Sequence, residues 1–540
     1  MNTTRRFSPF SPFVLSAGVC VVALLTSLGL YVHRLMTNGD NLDYLFITWL
    51  TSNRDLLEPF RWRFPAAYSY LLSGWLWATG SQGGGDLFIL STRTVASAKL
   101  LGIGLVIPTF GALLYWLRQI KAPFPLLIGL LLATSQPLMV QFSIIGSEPL
   151  FIFLSLLSLA LWERAVGEVQ PSPKLWAAAS ACTLAAIQTR QIGMAIPVAV
   201  LSYLFLFRKR HSSAWLRAAH ASAWTPLILS FLLAVLTNPT YLKFFFANPE
   251  IVETVRPPFT RILADNFATY GWTIPDALVP KLFGATGVLG AAGAGILALP
   301  LVLALYAILL LGVKTVFFRK ESEGRISIFY VAASLLVFMV CPYSATRYAV
   351  PLLPVLLWLA VLELSRLGQA LPWRSARPAA LALLAWIGFQ MATDVFTARK
   401  NLRLIWRLRE QPPWHPERYV PSAELDFAGL LDAGEWIGAH APADSEVVSA
   451  KALFVQISSR RGVDYPFAME EALRRSRENG TALYVVLDAF PEGGYGLQKT
   501  THILPHLQKE NAPFELVYTS PYLQTKVYRY LAAGESKLQP

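Results

Sequence analysis

The sequence predicts a polytopic α-helical membrane protein of about eleven spans, followed by a small C-terminal α/β domain outside the bilayer. Three observations carry this. The 540 residues are 54% hydrophobic and only 15% charged, with mean hydropathy +0.45, too apolar for one soluble domain. The apolar residues come in continuous blocks, many reaching the roughly 20 residues that a spanning helix needs. They do not alternate as barrel strands would, and only helices or closed barrels satisfy their backbone in lipid. The third observation is that Lys and Arg gather between the blocks, on one expected side.

The first block follows Arg5 and Arg6 and has the layout of a signal peptide. No small-residue cleavage site follows it and further spans do, so an uncleaved first helix is expected. "SAGVC", ending at Cys20, has Val where a lipoprotein box wants a small residue. The expected spans are 12–33, 91–117, 123–141, 148–163, 174–189, 192–207, 222–238, 283–313, 326–342, 348–365 and 379–396. With the N-terminus in the cytoplasm, the inside loops hold Arg118 and Lys121; Arg164 and Lys174; Arg208, Lys209, Arg210 and Arg217; Lys314, Arg319, Lys320 and Arg325; and Arg366, Arg374 and Arg377. Each is basic, as the positive-inside rule requires. Residues 64–79, "FPAAYSYLLSGWLWAT", are apolar but short; a span there would turn "FRKR" outward, so an interfacial position is expected. The outer side then carries two long loops, 34–90 with interfacial helices and 239–282, and long loops are often functional.

Residues 1–396 thus form a transmembrane domain and 397–540 a soluble extracytoplasmic one. In the second, 425–439 is expected as an amphipathic helix, "SEVVSA" as a strand, "MEEALRRSREN" as a helix, "ALYVVLD" as a buried strand and "THILPHLQKEN" as a helix. "FELVYTS" and "TKVYRYL" follow as two strands, a candidate hairpin. The net charge of +13 is spent on topology and lipid headgroups, so nucleic acid is not an expected partner. Cys20, Cys182 and Cys341 all lie in apolar segments, with no disulfide or metal spacing.

Chemistry is concentrated in a few places. In "TNGDNLDYLFITWL", Asp40 and Asp43 are three residues apart and share a helix face, ahead of Tyr44 and an apolar stripe suited to the interface. The same pattern is also good helix-start chemistry, Asp40 capping and Asp43 at the third position. Glu148 in "GSEPLF" opens a span before Pro149, again a helix start. Arg190 in "QTRQIG" and Arg347 in "YSATRYAVPLLP" stand at the outer ends of hairpins. Outer loops should be poor in Arg, so both are read either as snorkelling to headgroups or as binding a phosphate. Elsewhere, Lys99 in an apolar run either snorkels or faces a cavity. His502 and His506 are spaced for a helical metal pair, but a solvated face is the better reading. "GSQGGGD" lacks the strand-to-helix context of a phosphate loop and is expected as a flexible turn. "NGT" at Asn479 fits a glycosylation acceptor only by a short pattern.

The order of these motifs resembles the GT-C superfamily of polytopic glycosyltransferases, which includes protein O-mannosyltransferases and lipid A aminoarabinose transferases. The resemblance rests on "GDNLDYL" after the first span, "RFPAAYSYLL", "SEPLF", "TRQIG", "RYAVPLLP" and "WIGAHAPADSEVV", in that order along nearly the whole chain. It implies transfer of a hexosyl or pentosyl unit from a polyprenyl-phosphate carrier to a glycan, lipid or protein hydroxyl. It puts the base on Asp40, with Asp43 and Glu148 as further catalytic acids. Arg63, Arg190, Arg347 and Tyr44 would hold the substrate and its phosphate. Where the family has a second acid after the Asp, this chain has Asn41, and Ala66 replaces the second Pro of its Pro-Pro pair. A divalent ion, Mg or Mn, on Asp40 and Glu148 therefore stays an open expectation, and Asp43 is the substitute for the missing acid. Short loops favour a bacterial inner membrane. Two rivals are carried: a transporter or flippase of lipid-linked saccharides, and a non-catalytic member of the same family.

Overall fold

The computed structural model describes residues 12–30, 40–53, 66–81, 92–168, 172–237, 259–278, 291–318, 323–340, 346–370, 377–408, 425–449, 451–464, 468–488, 502–509, 512–522 and 525–531. The chain divides into two compact units: Met1–Tyr31, Leu57–Leu71 and Lys99–Asn401 in the first; Val32–Leu56, Leu72–Ala98 and Leu402–Pro540 in the second.

The helices, in chain order, begin with α1 (Pro12–Gly29), α2 (Asp40–Asn53), α3 (Ala66–Ala78), α4 (Thr92–Gly104), α5 (Val106–Gln119), α6 (Pro125–Ala133) and α7 (Gln136–Gln141). Then come α8 (Glu148–Gly167), α9 (Pro173–Thr189), α10 (Ala195–Phe207), α11 (Ser213–Thr237), α12 (Phe259–Leu278), α13 (Ala291–Phe318) and α14 (Arg325–Val340). A one-turn helix, α15 (Thr346–Ala349), leads into α16 (Leu353–Ala370), and α17 (Arg377–Leu408) closes the series. Among the described residues, three helical stretches are long and apolar enough to cross a membrane, Arg93–Gln119, Glu148–Gly167 and Arg347–Gly368, and four shorter apolar helices accompany them. Phe205, Leu310, Phe318, Leu336 and Val395 are more than two-thirds exposed, as suits side chains facing lipid.

In the first unit α8 packs between α5 and α9, α10 against α14, α9 against α11 and α13 against α16. Trp116, Trp162, Tyr203 and Trp358 are fully buried there. Trp116 meets Trp358 edge-on at 5.8 Å, a favourable aromatic geometry. Several expectations are corrected. The 123–141 span is two short helices, because Ser135 is extended and Pro137, which has no N–H, can only enter the first turn of a new helix. The 222–238 helix begins at Ser213, and the last helix continues past 396 to Leu408. Loop 239–282 contains a 20-residue helix, α12, which packs against α14 and buries Asn266, Tyr270 and Ile274. Arg325, expected in an inside loop, is fully buried, its guanidinium 4.7 Å from the Phe207 ring centroid. Lys99 is 1% exposed, so its ammonium does not snorkel.

One buried carboxylate fixes the start of α14. The Glu163 Oε2 accepts from the Gly324 N–H at 2.9 Å. Its Oε1 accepts from the Ser327 N–H at 3.1 Å and hydroxyl at 3.0 Å, and Trp116 donates to that hydroxyl at 3.1 Å. The first N–H groups of a helix have no partner within it, and here a residue of α8 supplies one. Glu163→Ala would strand these donors in an apolar interior. A loss of about 3 kcal/mol is expected, read as a lower apparent melting temperature in detergent; an unchanged melt would show that the cap is dispensable.

The second unit contains the C-terminal sheet. Helix α18 (Leu425–His440) is followed by β1 (Glu446–Ser449), α19 (Ala452–Ser459), α20 (Met469–Asn479), β2 (Leu483–Leu487), α21 (Leu504–Leu507), β3 (Phe514–Thr519) and β4 (Lys526–Tyr530). The sheet order is β1-β2-β4-β3. β1 and β2 are parallel, with Val447 beside Tyr484; β4 pairs antiparallel with β2 and β3. The expected strands fall on observed ones, and β3 and β4 form the hairpin. Helix α19 was not expected: nearly every side of "ALFVQISS" is buried, which erases the 3.6-residue period that announces a surface helix. Arg475 bridges Glu446 at 2.9 and 3.0 Å and also Asp464, tying α20 to β1 and the segment after α19.

Helix α2 belongs to this unit and packs against α19. Tyr44, Leu45, Ile47, Trp49 and Leu50 are 7% exposed or less. The expectation that this apolar stripe rests in lipid is thereby corrected: protein covers it. Ser52 and Ser73 hydroxyls 2.9 Å apart join α2 to α3.

Candidate active site

Glu148 opens α8, with Pro149 next in the first turn. A carboxylate there is favoured by the helix dipole, and a proline costs no hydrogen bond. Glu148 is 3% exposed. Its carboxylate folds back over Gly146, where an added Cβ would lie 2.5 Å from Oε2. The Gly146 N–H donates to the Tyr68 hydroxyl at 3.2 Å.

Arg190 follows the last turn of α9 in an extended conformation, φ −153° and ψ 137°. A 3-10 turn, Gln191–Met194, then doubles the chain back. Gly193 sits in that turn against the end of α9, where a Cβ would lie 2.7 Å from the Ala186 carbonyl carbon and the Ile187 nitrogen. That fold-back is what aims Arg190 at α8. Its Nη1 donates to Glu148 Oε1 and lies 3.4 Å from the Ser147 hydroxyl. Arg347 arrives from α15, with its Nε 3.8 Å from the same Oε1. The Arg190, Arg347 and Glu148 side chains are 17%, 21% and 4% exposed.

Tyr348, which the sequence reading did not single out, completes the cluster. Its ring centroid is 5.3 Å from the Arg190 guanidinium and 5.5 Å from that of Arg347. Phe338 of α14 stacks on Tyr348 at 6.3 Å, and Tyr270 of α12 on Phe338 at 5.1 Å. The only sequence signal was its adjacency to Arg347. Two guanidiniums thus converge on one carboxylate in a partly buried recess. Paired guanidiniums are a donor set that suits a phosphate. Both arginines therefore pair with Glu148 in place of snorkelling.

The remaining sequence-predicted residues are placed as follows. Asp40 and Asp43 lie in the first turn of α2, in the second unit, with side chains outside the described residues. Tyr44, in the same helix, is 5% exposed. Arg63 and Cys341 lie outside the described residues. Among the described residues no group of three or more His, Cys, Asp or Glu could hold a metal ion, His502 and His506 included. The Glu148 carboxylate is engaged by two cations, an environment that repels a third, so this part of the expected donor set does not fit Mg or Mn. Asn479 is exposed at the end of α20, but the Thr481 hydroxyl of the "NGT" triplet is buried.

Gly193→Ala tests the positioning of Arg190. A Cβ at 2.7 Å from backbone must push the turn outward. Because a misplacement of about 1 Å can cost roughly 100-fold, a loss of that order in activity is expected, with the protein still folded. Wild-type turnover would show that the turn tolerates the shift.

No family model matches the sequence, and no curated protein matches it. The fold does have solved counterparts. ArnT from Cupriavidus metallidurans bound to undecaprenyl phosphate aligns at a TM-score of 0.52 and 13% identity, over 98% of this chain and 100% of that one. The same protein in its apo state aligns at 0.52 and 14% identity, over 97% of this chain and 99% of that one. The chain has a GT-C-like fold, as the order of its motifs led one to expect.

Proposed function

We propose that the protein is an integral membrane glycosyltransferase that moves a monosaccharide from a polyprenyl-phosphate carrier to a hydroxyl of a glycan, lipid or protein acceptor on the extracytoplasmic side. The observation that carries this is the convergence of Arg190 and Arg347 on Glu148. The likeness of the fold to a protein that binds undecaprenyl phosphate supports it.

The chemistry asks little else of the protein. The acceptor oxygen attacks the anomeric carbon as the bond from that carbon to the carrier phosphate oxygen breaks. The electron pair leaves with the phosphate, whose growing charge falls to Arg190 and Arg347. The acceptor proton passes to a base, assigned to Asp40 by the resemblance. A single displacement inverts the anomeric centre. No step here is routed through Mg or Mn; turnover retained in EDTA is the matching outcome. Short loops favour a bacterial inner membrane, and the basic inside loops favour an orientation with the C-terminal domain outside.

The test is a transfer assay on the full chain in detergent with a panel of polyprenyl-phosphate hexoses and pentoses. Inverted glycoside formed from one of them is expected. Carrier movement across vesicles without any transfer would instead favour a transporter, and neither activity a non-catalytic member.

A further inference from the structure

We infer that Tyr68 is a positioning residue: by accepting the Gly146 N–H, its hydroxyl fixes the turn that folds the Glu148 carboxylate back toward Arg190 and Arg347. The inference rests on the proposed role of that cluster in holding the carrier phosphate. The turn between α7 and α8 needs such a residue. Every residue from Gln141 to Leu150 is buried, so its backbone polar groups cannot turn to water and need partners within the protein. At its start the Phe142 N–H donates to the Met139 carbonyl at 3.2 Å and the Ser143 N–H to that of Val140 at 3.0 Å. The Gly146 N–H takes a side chain from elsewhere in the chain, the Tyr68 hydroxyl at 3.2 Å. Ser147, the residue before α8, makes no capping bond to the helix; the Arg190 Nη1 lies 3.4 Å from its hydroxyl. The entry to α8 is therefore set from outside the turn.

Gly146 is where the aim of Glu148 is decided. A Cβ there would lie 2.5 Å from the Glu148 Oε2, so the carboxylate rests over the residue whose N–H Tyr68 holds. Only Ser147 separates that peptide from the start of α8, and a rotation of the peptide carries Glu148 with it. Ile144 and Ile145 are also buried in the turn, but apolar burial has no direction, whereas a hydrogen bond weakens steeply as it misaligns. The position of Tyr68 agrees. It is 1% exposed in α3, while Leu71, three residues on, is 37% exposed. A helix that only lay along the membrane surface would have no need to turn a phenol inward and leave a leucine out. A buried tyrosine hydroxyl calls for a polar partner, and the turn before α8 supplies one. Helix α3 thus delivers a hydrogen-bond acceptor to the residue two places before Glu148.

The experiment compares wild type, Tyr68→Phe, Glu148→Gln and the double variant as full chains in detergent. One arm measures binding of undecaprenyl phosphate without sugar. Tyr68→Phe keeps the ring and removes the acceptor, and is expected to bind about 10-fold more weakly than wild type. The double variant is expected within about 3-fold of Glu148→Gln, because a residue that acts through Glu148 has nothing left to aim once that charge is gone. A general structural role would weaken both backgrounds alike, and such additive losses overturn the inference. So does wild-type binding by Tyr68→Phe. The second arm is a structure of Tyr68→Phe, expected to show the turn at Gly146 shifted and the Glu148 carboxylate moved off Arg190; an unmoved carboxylate overturns the positioning role whatever the carrier does. If the Phe variant does not fold, Tyr68→Met, which also lacks the hydroxyl and fills irregular gaps, serves in both arms. Wild type that does not bind the carrier defeats the proposed function, and the structural arm still decides the role of Tyr68.

Discussion

Glu148→Gln is expected to lower kcat/KM for transfer by roughly 1,000-fold while the protein stays folded. The change keeps the shape of the side chain and removes only its charge. In the native site that charge holds Arg190 and Arg347 together in a recess where Glu148 is 3% exposed. Without it the two guanidiniums repel at short range with little solvent to screen them, and a buried ion pair loses about 3–5 kcal/mol when one partner is removed. Arg190 and Arg347 are each about a fifth exposed, so they can relieve the repulsion by swinging outward, which is why misdirected arginines are expected instead of unfolding. The assay should therefore report a lower kcat as well as a higher carrier KM, with the melting temperature reduced by a few degrees only. Full activity in Glu148→Gln would remove the cluster from the reaction.

Asp40→Asn should cost about 100- to 10,000-fold in kcat, the range for loss of a general base, with carrier binding held within a few-fold. An amide cannot take the acceptor proton, and the leaving phosphate needs no acid to depart. The split between kcat and binding is the informative part. A variant that loses carrier affinity but keeps kcat would make Asp40 a binding group; one with wild-type kinetics would leave its carboxylate as a helix start for α2 and no more. Asp43→Asn beside it separates the two acids: a comparable loss there would move the base three residues along the same helix.

The sequence alone determined the class of molecule and much of its local structure. Long apolar blocks set helices, because lipid offers no partner for an open backbone. Apolar runs and turn residues set the C-terminal strands, while their order β1-β2-β4-β3 and register came from the pairing itself. Glu148 at a helix start, Arg190 in a tight turn and Arg347 before a proline-rich helix were each legible as exceptions to a local rule, and their order along the chain gave the resemblance. Tertiary structure decided the rest. The meeting of Glu148, Arg190 and Arg347 depends on a glycine-tight turn after α9 and on the docking of α15, and no periodicity encodes either. Tyr348 became visible only through its distance to both guanidiniums. The stripe of α2 reads the same for lipid and for a protein partner, since apolar burial has no direction; packing against α19 chose the partner. Local patterns fix what each segment can become, and which charges face each other is settled by the contacts that bury them.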